Sequence, residues 1–466
     1  MTHTFDPSID ADYAAALATA SDRALAWLHG RADHAIPARA TVAEVAAALG
    51  GDLPSRGAGP DEVVQMLADA VEPGLMASQS PRFFGWVMGG TLPAALGADW
   101  LVSAWDQNAG MRDVTTGVVA AEEAAGRWIL DLLDLPCGSD VGFTTGATTA
   151  NLTGLAAARH RVLADAGWDV GVHGLTGAPV IRVFAGAERH GSVDLALRML
   201  GLGLPMPIAV DDQGRLEARA LERALGEDAG PAIVVLQAGN IHSGAFDPFD
   251  TAVPIARRAG AWVHVDGAFG LWAAAGSSVR ALMRGVRGAQ SWATDAHKTL
   301  NVPYDCGISI VSDTVAVRAA MGTHASYLVE TASDTATDPH QVVPELSRRA
   351  RGVPVWAALR ALGSEGVADL VDGLVAQARG LAGRLGAMPG VHVVNDVVFT
   401  QVCIALDDDA GTRALGERLR SEGVAFASSS VWRGRDVLRF SVSNWATDRT
   451  AVTETVSAVA RALPPT

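Results

Sequence analysis

The chain has 466 residues, of which 49% are hydrophobic and 19% charged, and a formal net charge of -15 at pH 7. It contains no uninterrupted apolar run of about 18 residues or more, so we expect a soluble protein without a membrane span. The dispersed acidic residues argue against nucleic acid as a partner. No basic, apolar leader precedes Asp10, which favours a cytoplasmic location. The three cysteines are widely spaced without a metal-ligand pattern, so we expect reduced, buried thiols and no metal site.

The sequence pattern divides the chain into three blocks. Residues 1–76 carry Ala-rich helical segments that make a poor independent core. Residues 77–355 alternate helical patterns with short apolar runs, which predicts an α/β domain with a mainly parallel sheet and binding residues at the strand ends. Residues 356–466 predict a small α+β domain. The predicted helices cover 13–28, 61–71 and 355–385, and the predicted strands cover 180–185, 207–210, 232–237, 262–265, 290–294, 307–311, 391–394, 399–404 and 437–442.

A candidate phosphate site lies within residues 142–152, where a strand end, a turn of small residues and a helix follow one another. Gly146 and Ala147 permit close approach of the backbone, and Thr148 and Thr149 add hydroxyl groups at the N-terminus of the helix. An ordinary capped helix has the same pattern, so this segment does not establish a phosphate site by itself.

His190 follows the predicted strand at 180–185. An imidazole at this position is suited to stack on a flat ring bound at the strand ends. A lone histidine is more often a helix cap or a core residue, so His190 supports a ring-binding site only together with other groups.

Two later stretches carry residues that could bind one cofactor together. Asp266 ends a buried strand in His-Val-Asp-Gly-Ala, and Lys298 follows a short apolar strand in Ala-His-Lys-Thr. A lysine amine forms a Schiff base with an aldehyde cofactor, and a carboxylate against a pyridinium nitrogen keeps the ring an electron sink. Taken singly, each motif is more often a turn or a solvated loop. Together they indicate pyridoxal 5′-phosphate, the cofactor that needs both groups.

The ordered motifs resemble a known family. Thr-Gly-Ala-Thr-Thr-Ala-Asn, His-Gly-Ser-Val, His-Val-Asp-Gly-Ala and His-Lys follow one another as in the group II pyridoxal phosphate-dependent amino acid decarboxylases, which include aromatic amino acid and glutamate decarboxylases. The resemblance runs from Pro81 to Ser441. It implies fold type I, the aspartate aminotransferase-like α/β fold, with residues 1–76 as a helical arm that packs on a second subunit. It also implies a homodimer with the active site at the interface.

The resemblance further implies roles for single residues. Lys298 would carry the internal aldimine, Asp266 would pair with the ring nitrogen and His190 would stack on the ring, while Ala268 packs on its other face. The full set implied to bind the cofactor is Gly146, Ala147, Thr148, His190, Asp266, Ala268, His297 and Lys298, of which Ala147, Thr148 and His297 would hold the phosphate.

Decarboxylation also requires a proton donor at the former alpha carbon, and Tyr327 is the candidate. Its Tyr-Leu pair matches the mobile loop of the decarboxylases, and residues 331–338 are almost all small or polar, as suits a lid. A packed loop aromatic is the alternative interpretation. A Phe at this position would instead have indicated oxidative deamination.

The candidate substrate residues leave the substrate open. Trp86 lies in the segment that builds the pocket wall in the family. Gln107 and Asn108 would come from the partner subunit, where they would either favour a polar substrate side chain or hydrogen-bond within the interface. Arg439 is a candidate for contact with a carboxylate, and a structural salt bridge is the equal alternative.

Two residues depart from the family pattern. Asp295 stands where the decarboxylases usually have Asn, and an extra carboxylate near a phosphate is unfavourable unless it turns away or pairs with a cation. His242 lies in a segment that is usually a threonine-rich turn, and it is a candidate acid or base. Either change could tune the cofactor, bind substrate or mark altered chemistry.

We therefore predict a carboxy-lyase that converts an L-amino acid to the corresponding amine and carbon dioxide. The alternative among enzymes is another pyridoxal phosphate reaction, as in a carbon-carbon lyase, an aminotransferase or an aldehyde synthase. The alternative outside enzymes is a cofactor-binding protein that kept the fold without catalysis. The joint presence of Lys298, Asp266, His190 and Tyr327 argues against that last interpretation.

Overall fold

A computed structural model describes residues 9–226, 230–323 and 337–464. Its helices are α1 (Ile9–His29), α2 (Val42–Leu49), α3 (Pro60–Val71), α4 (Pro93–Trp105), α5 (Thr116–Leu132), α6 (Ala147–Asp165), α7 (Val170–His173), α8 (Gly191–Met199), α9 (Ala218–Gly226), α10 (Phe249–Arg258), α11 (Thr314–Met321), α12 (Gly352–Leu385), α13 (Asp409–Glu422) and α14 (Arg449–Ala462). Its strands are β1 (Phe83–Phe84), β2 (Asp140–Thr144), β3 (Arg182–Gly186), β4 (Met206–Ile208), β5 (Ala232–Gln237), β6 (Trp262–Asp266), β7 (Ser291–Asp295), β8 (Gly307–Val311), β9 (His392–Val393), β10 (Gln401–Ala405), β11 (Phe426–Trp432) and β12 (Arg435–Ser441). None of these helices is long and apolar enough to cross a membrane.

Seven strands form the central sheet, in the order β2-β8-β7-β6-β5-β3-β4. β8 runs antiparallel to both of its neighbours, and the other pairings are parallel. This arrangement confirms the predicted α/β architecture with a mainly parallel sheet. β6 and β7 are buried along their whole length, as expected for strands of a mainly parallel sheet that is covered on both faces, although both strands carry buried polar residues.

Five strands form a second sheet, in the order β1-β11-β12-β10-β9. β12 pairs antiparallel with β11 and β10, and β1 joins β11 in parallel, with Phe83 opposite Phe426. Although β1 lies within the central block of the sequence, it belongs to the sheet of the C-terminal block. The segment predicted to form the pocket wall is therefore fixed to the C-terminal sheet. The boundaries 76/77 and 355/356 stay predictions.

Helix α12 connects the two parts of the molecule. Val355 and Leu359 near its start pack in the core under the central sheet, whereas Leu374 and Leu381 pack in the core of the C-terminal sheet. Its regular geometry is interrupted at Gly363, whose φ of 65° is readily adopted by glycine. The predicted helix over 355–385 is confirmed, and it starts three residues earlier, at Gly352.

The N-terminal block is helical, as predicted. α1 and α3 contain the segments predicted as helices. α2 was missed, although Thr41 and Glu44 form the capping box that begins it. The expectation of three buried thiols is wrong for one of them, since Cys306 and Cys403 are buried and Cys137 is exposed.

Candidate active site

The carboxyl ends of β6 and β7 carry the two residues predicted to define the site. Asp266 is the last residue of β6, opposite Ala293 of β7 in the sheet register. Lys298 lies in the turn after β7, and its ammonium nitrogen is 2.9 Å from a carboxylate oxygen of Asp295. Because β6 and β7 run in parallel, both side chains leave the sheet at the same edge. The charge of Lys298 opposes the rise of the Asp266 pKa, so the two groups are close enough to interact, and their service in one cofactor site stays a prediction.

Asp266 is a buried carboxylate with little hydrogen bonding. It is 4% exposed, and its one hydrogen bond within the described residues comes from the N–H of Ala268 at 3.3 Å. Burial raises the pKa of Asp266, and the nearby charges of His190 and Lys298 oppose that rise. Such a carboxylate is stabilised by a cation placed against it. A protonated ring nitrogen is such a cation, so Asp266 fits the predicted cofactor.

The N-terminus of α6 forms a cradle of suitable chemistry for a phosphate. Gly146, just before the helix, has an extended backbone with φ 169°, which any residue can adopt. A Cβ at this position would point toward the His297 ring at 3.6 Å and the Asp295 carboxylate at 3.7 Å. Thr148 is exposed on the first turn, and its hydroxyl has no partner within the described residues. The backbone and surroundings of Gly146 would thus tolerate a Cβ, whereas Thr148 offers a free donor where a phosphate would lie.

His297 lies beside this cradle and is 7% exposed. Its Nδ1 accepts the N–H of Cys306 at 3.1 Å, so the neutral ring carries its proton on Nε2. Burial lowers the pKa of His297, and the charge of Asp295 opposes that shift. The ring also stacks on Tyr304, with 4.2 Å between centroids. These contacts fix the imidazole with an N–H available to an acceptor in the cradle.

His190 is the N-cap of α8 and is exposed at the site. Its Nδ1 lies 2.8 Å from the hydroxyl of Ser192. A chain of buried hydrogen bonds continues from Ser192 through Asn151 at 3.3 Å to His264 at 2.8 Å, and then to Ser291 on β7. The network holds the His190 ring by one nitrogen and leaves its face open. Sequence reasoning missed this network.

The network depends on a glycine in α6, which gives a testable prediction. A Cβ on Gly154 would lie 2.8 Å from the His264 ring, so Gly154→Ala forces α6 away from β6. We expect the free energy of unfolding in urea to fall by about 1–3 kcal/mol. The matched control is Gly380→Ala in α12, where a Cβ meets nothing within 4 Å and stability is expected to hold or rise. Equal stability of both variants would show that α6 adjusts without cost.

Lys298 is the only lysine in the chain, since the other 35 of the 36 Lys and Arg residues are arginine. At all other positions with a permanently charged basic side chain the sequence has arginine, whereas Schiff-base chemistry requires the primary amine of lysine. The count was available from sequence and is the strongest signal for Lys298 that the motif reasoning did not use.

The pocket-wall and substrate candidates lie mostly between the two sheets. Trp86 is 52% exposed and packs beside Phe426, with 5.4 Å between ring centroids. His242 stacks on Trp432 and lies 2.9 Å from the hydroxyl of Ser430, and burial lowers its pKa to about 4. Arg439 is 5% exposed and donates to the carbonyl of Ile241 at 3.1 Å.

Arg439 has no carboxylate partner within the described residues, so the structural salt bridge considered for it does not form there. Its Nε is buried without a hydrogen-bond partner. Burial lowers the pKa of Arg439, and nearby Cys403 opposes that shift. A buried, incompletely bonded guanidinium is suited to an anionic ligand.

Two further predicted residues, Gln107 and Asn108, make local contacts within the single chain. Gln107 donates to the carbonyl of Trp105 at 2.9 Å and is exposed. The Asn108 side chain accepts the N–H of Arg348 at 3.0 Å, which is a local structural role. Their role toward a second subunit stays a prediction. Tyr327 and most of the predicted lid lie outside the described residues.

Comparisons with known proteins agree with this geometry. A family model described as the pyridoxal-dependent decarboxylase conserved domain matches residues 46–407. Tryptophan decarboxylase 1 of Oryza sativa subsp. japonica is 29% identical over 418 residues, which cover 82% of this chain and 80% of that protein. Cysteine sulfinic acid decarboxylase of Homo sapiens is 27% identical over 332 residues, which cover 69% of this chain and 66% of that protein.

Solved structures show the same architecture. The crystal structure of Oryza sativa TDC with PLP and tryptamine matches with a TM-score of 0.91 and 25% identity, over 98% of this chain and 99% of that chain. Mouse CSAD matches with a TM-score of 0.88 at 22% identity, over 98% of this chain and 99% of that chain, a likeness of fold alone. The predicted fold type I is confirmed.

Proposed function

The chain belongs to the pyridoxal-dependent decarboxylase family, and from this we propose that Lys298, Asp266 and His190 carry its reaction. The enzyme is a carboxy-lyase that uses pyridoxal 5′-phosphate and acts on an amino acid. One observation supports the residue assignment above all. The only lysine of the chain lies at the same edge of the sheet as Asp266, a buried carboxylate that accepts one hydrogen bond within the described residues, and the two groups interact electrostatically. No other amine of a side chain is available to hold an aldehyde.

Each residue has a stated task toward the cofactor. When bound, pyridoxal phosphate supplies an electron sink for the electrons released as carbon dioxide leaves. Lys298 would hold it covalently, and Asp266 would keep its ring nitrogen protonated. His190 would cover one face of the ring, and Ala268 the other. Ala147, Thr148 and His297 would donate to its phosphate.

Tyr327 is our candidate for the proton donor after decarboxylation, on the sequence argument alone. The residues that the structure describes leave solvent access to Lys298, whose side chain is 22% exposed. A segment that closes over this opening would exclude water and deliver a proton, as a lid does.

The deciding experiment supplies the purified protein and pyridoxal phosphate with a panel of L-amino acids and measures carbon dioxide together with the organic product. We expect equal amounts of carbon dioxide and an amine from at least one amino acid. A keto acid or an aldehyde as the main product would favour the aminotransferase or aldehyde synthase alternative. Absence of turnover with the whole panel, despite bound cofactor, would favour a non-catalytic protein.

For the substrate, we propose that Arg439 binds a carboxylate and that Trp86 lines the pocket. The relatives named above include a tryptophan decarboxylase and a cysteine sulfinic acid decarboxylase, so aromatic and acidic amino acids are the first candidates to test as substrates. The unsatisfied, buried guanidinium of Arg439 and the exposed ring of Trp86 support this assignment.

Arg439→Met provides the test of the carboxylate contact. Loss of a bidentate cation should raise KM for the accepted amino acid by about 10- to 100-fold, with a smaller change in kcat. Arg435→Met is the matched control, because Arg435 lies on the same strand and donates to the carbonyl of Leu406 instead. Equal KM values for the two variants would contradict the assignment.

We also propose a homodimer. Trp100, Leu101, Trp105 and Val114, on α4 and the segment after it, are 41–67% exposed, and an open cavity of about 730 Å³ adjoins Trp105 and Trp356. Exposed apolar surface of this extent is typical of a subunit interface. Light scattering at micromolar concentration should give twice the chain mass of 48.1 kDa, and a stable monomer would contradict the proposal. The cytoplasmic location stays a prediction from the sequence.

A further inference from the structure

Asp295, the last residue of β7, links the two halves of the cofactor site. Its side chain is 3% exposed. One carboxylate oxygen accepts the N–H of Ala147 at 2.6 Å, at the N-terminus of α6. The other lies 2.9 Å from the ammonium nitrogen of Lys298. A single internal anion therefore bridges the helix terminus suited to a phosphate and the amine suited to an aldehyde.

The charges around Asp295 are unevenly distributed. Lys298 is the nearest cation, and His297 lies 3.6 Å away with its pKa lowered by burial. Asp266 faces it from the end of β6, while Tyr304 and Cys306 face it from the segment that leads into β8. Burial raises the pKa of both the Tyr304 hydroxyl and the Cys306 thiol, so both groups stay neutral and neither adds a further anion. Two carboxylates thus share one lysine.

These contacts set Asp295 in competition with an incoming phosphate. A phosphate at the N-terminus of α6 needs the free N–H groups of the first turn, and Asp295 already occupies one of them. The phosphate would also bring its negative charge beside a buried carboxylate, which is unfavourable in a partly desolvated site.

We propose that Asp295 is a positioning residue that holds the cofactor-free site together and lowers the affinity for the cofactor phosphate. The inference rests on the proposed function, because it takes the cradle and Lys298 as the cofactor site. Asp295 thereby makes the cofactor exchangeable. Its carboxylate accepts the N–H of Ala147 when the cofactor leaves, and this hydrogen bond breaks when the phosphate of the cofactor binds there again.

Asp295→Asn isolates the charge from the hydrogen bond. The amide oxygen of Asn can still accept the N–H of Ala147, whereas the negative charge is lost. Asp295→Ala removes both and serves as the second variant. The matched control is Asp305→Asn, which removes one carboxylate from the same segment of the chain, where Asp305 pairs with Arg351 instead.

The measurement is the Kd, by calorimetry, of two probes that separate the halves of the cofactor. 4′-Deoxypyridoxine 5′-phosphate has the phosphate without the aldehyde, and pyridoxal has the aldehyde without the phosphate. We expect Asp295→Asn and Asp295→Ala to bind the phosphate probe at least about tenfold more tightly than the unchanged protein. We expect no gain in affinity for pyridoxal, and no gain for either probe with Asp305→Asn.

The outcomes distinguish the two proposals. If all variants bind the phosphate probe, but Asp295→Asn binds it equally or more weakly, the inference about Asp295 is overturned and the cofactor site stands. Equal gains for both probes would show a general loosening of the site, which also overturns it. If the unchanged protein and both Asp295 variants bind neither probe, the proposed cofactor site itself is contradicted.

Discussion

Replacing Lys298 with alanine is expected to abolish covalent attachment of the cofactor and to reduce decarboxylation by about 10³-fold or more. The physical reason is that no other lysine exists in the chain to take over the task. Loss of absorbance from the covalently bound cofactor and of carbon dioxide release are the two measurements. Retention of both in the variant would contradict the assignment.

Lys298→Arg is the control for charge. The guanidinium retains a cation beside Asp295 but does not form a Schiff base under ordinary conditions. We expect this variant to fold as stably as the unchanged protein and to be as inactive as Lys298→Ala. Recovery of activity in Lys298→Arg would show that the site requires a positive charge and not an amine.

Replacing Asp266 with asparagine is expected to reduce kcat by about 10²- to 10³-fold, equivalent to about 2.7–4 kcal/mol of transition-state stabilisation. The reason is that the carboxylate is the group that keeps the ring nitrogen protonated, and a neutral amide supports that proton much less. Asp266→Glu is the partner variant, because it keeps the charge and shifts its position. A kcat of Asp266→Asn within about threefold of the unchanged enzyme would contradict the role of Asp266.

The same substitution has an opposite effect on the stability of the cofactor-free protein. Since burial raises the pKa of Asp266 above its ordinary value of 3.8, ionisation of this carboxylate destabilises the fold. The penalty is absent below pH 3.8, grows as the pH rises, and is complete above the raised pKa. Asp266→Asn should therefore raise Tm at neutral pH, and the gain should vanish in acid. A lower Tm at neutral pH would show that the charge is already compensated without the cofactor.

The large domain was accessible from sequence because its central strands are buried on both faces. The strands predicted at 232–237 and 307–311 match β5 and β8 in full, since each is an apolar run with clear limits. Parallel strands place their carboxyl ends at one edge, so the positions of Asp266 and Lys298 followed from the order of the strands.

The features that the sequence did not predict, strand β11 and two long-range hydrogen bonds, depend on contacts between residues far apart in the chain. β11 was missed because the serines at 428–430 interrupt its apolar pattern, and Ser428 is buried where its hydroxyl accepts the N–H of Trp86. The link between Asn151 and His264 joins residues 113 positions apart, and the bond between Ala147 and Asp295 spans 148 positions. Polar contacts at such distances require the fold itself.

The central claim is that one lysyl amine holds the cofactor, and the sole-lysine sequence allows a direct measurement. The protein is saturated with pyridoxal phosphate, reduced with borohydride, and analysed by intact mass and peptide mapping. The account predicts one reduced cofactor per chain, located on Lys298. A chain that carries no adduct, or carries it only on the N-terminal amine, would contradict it.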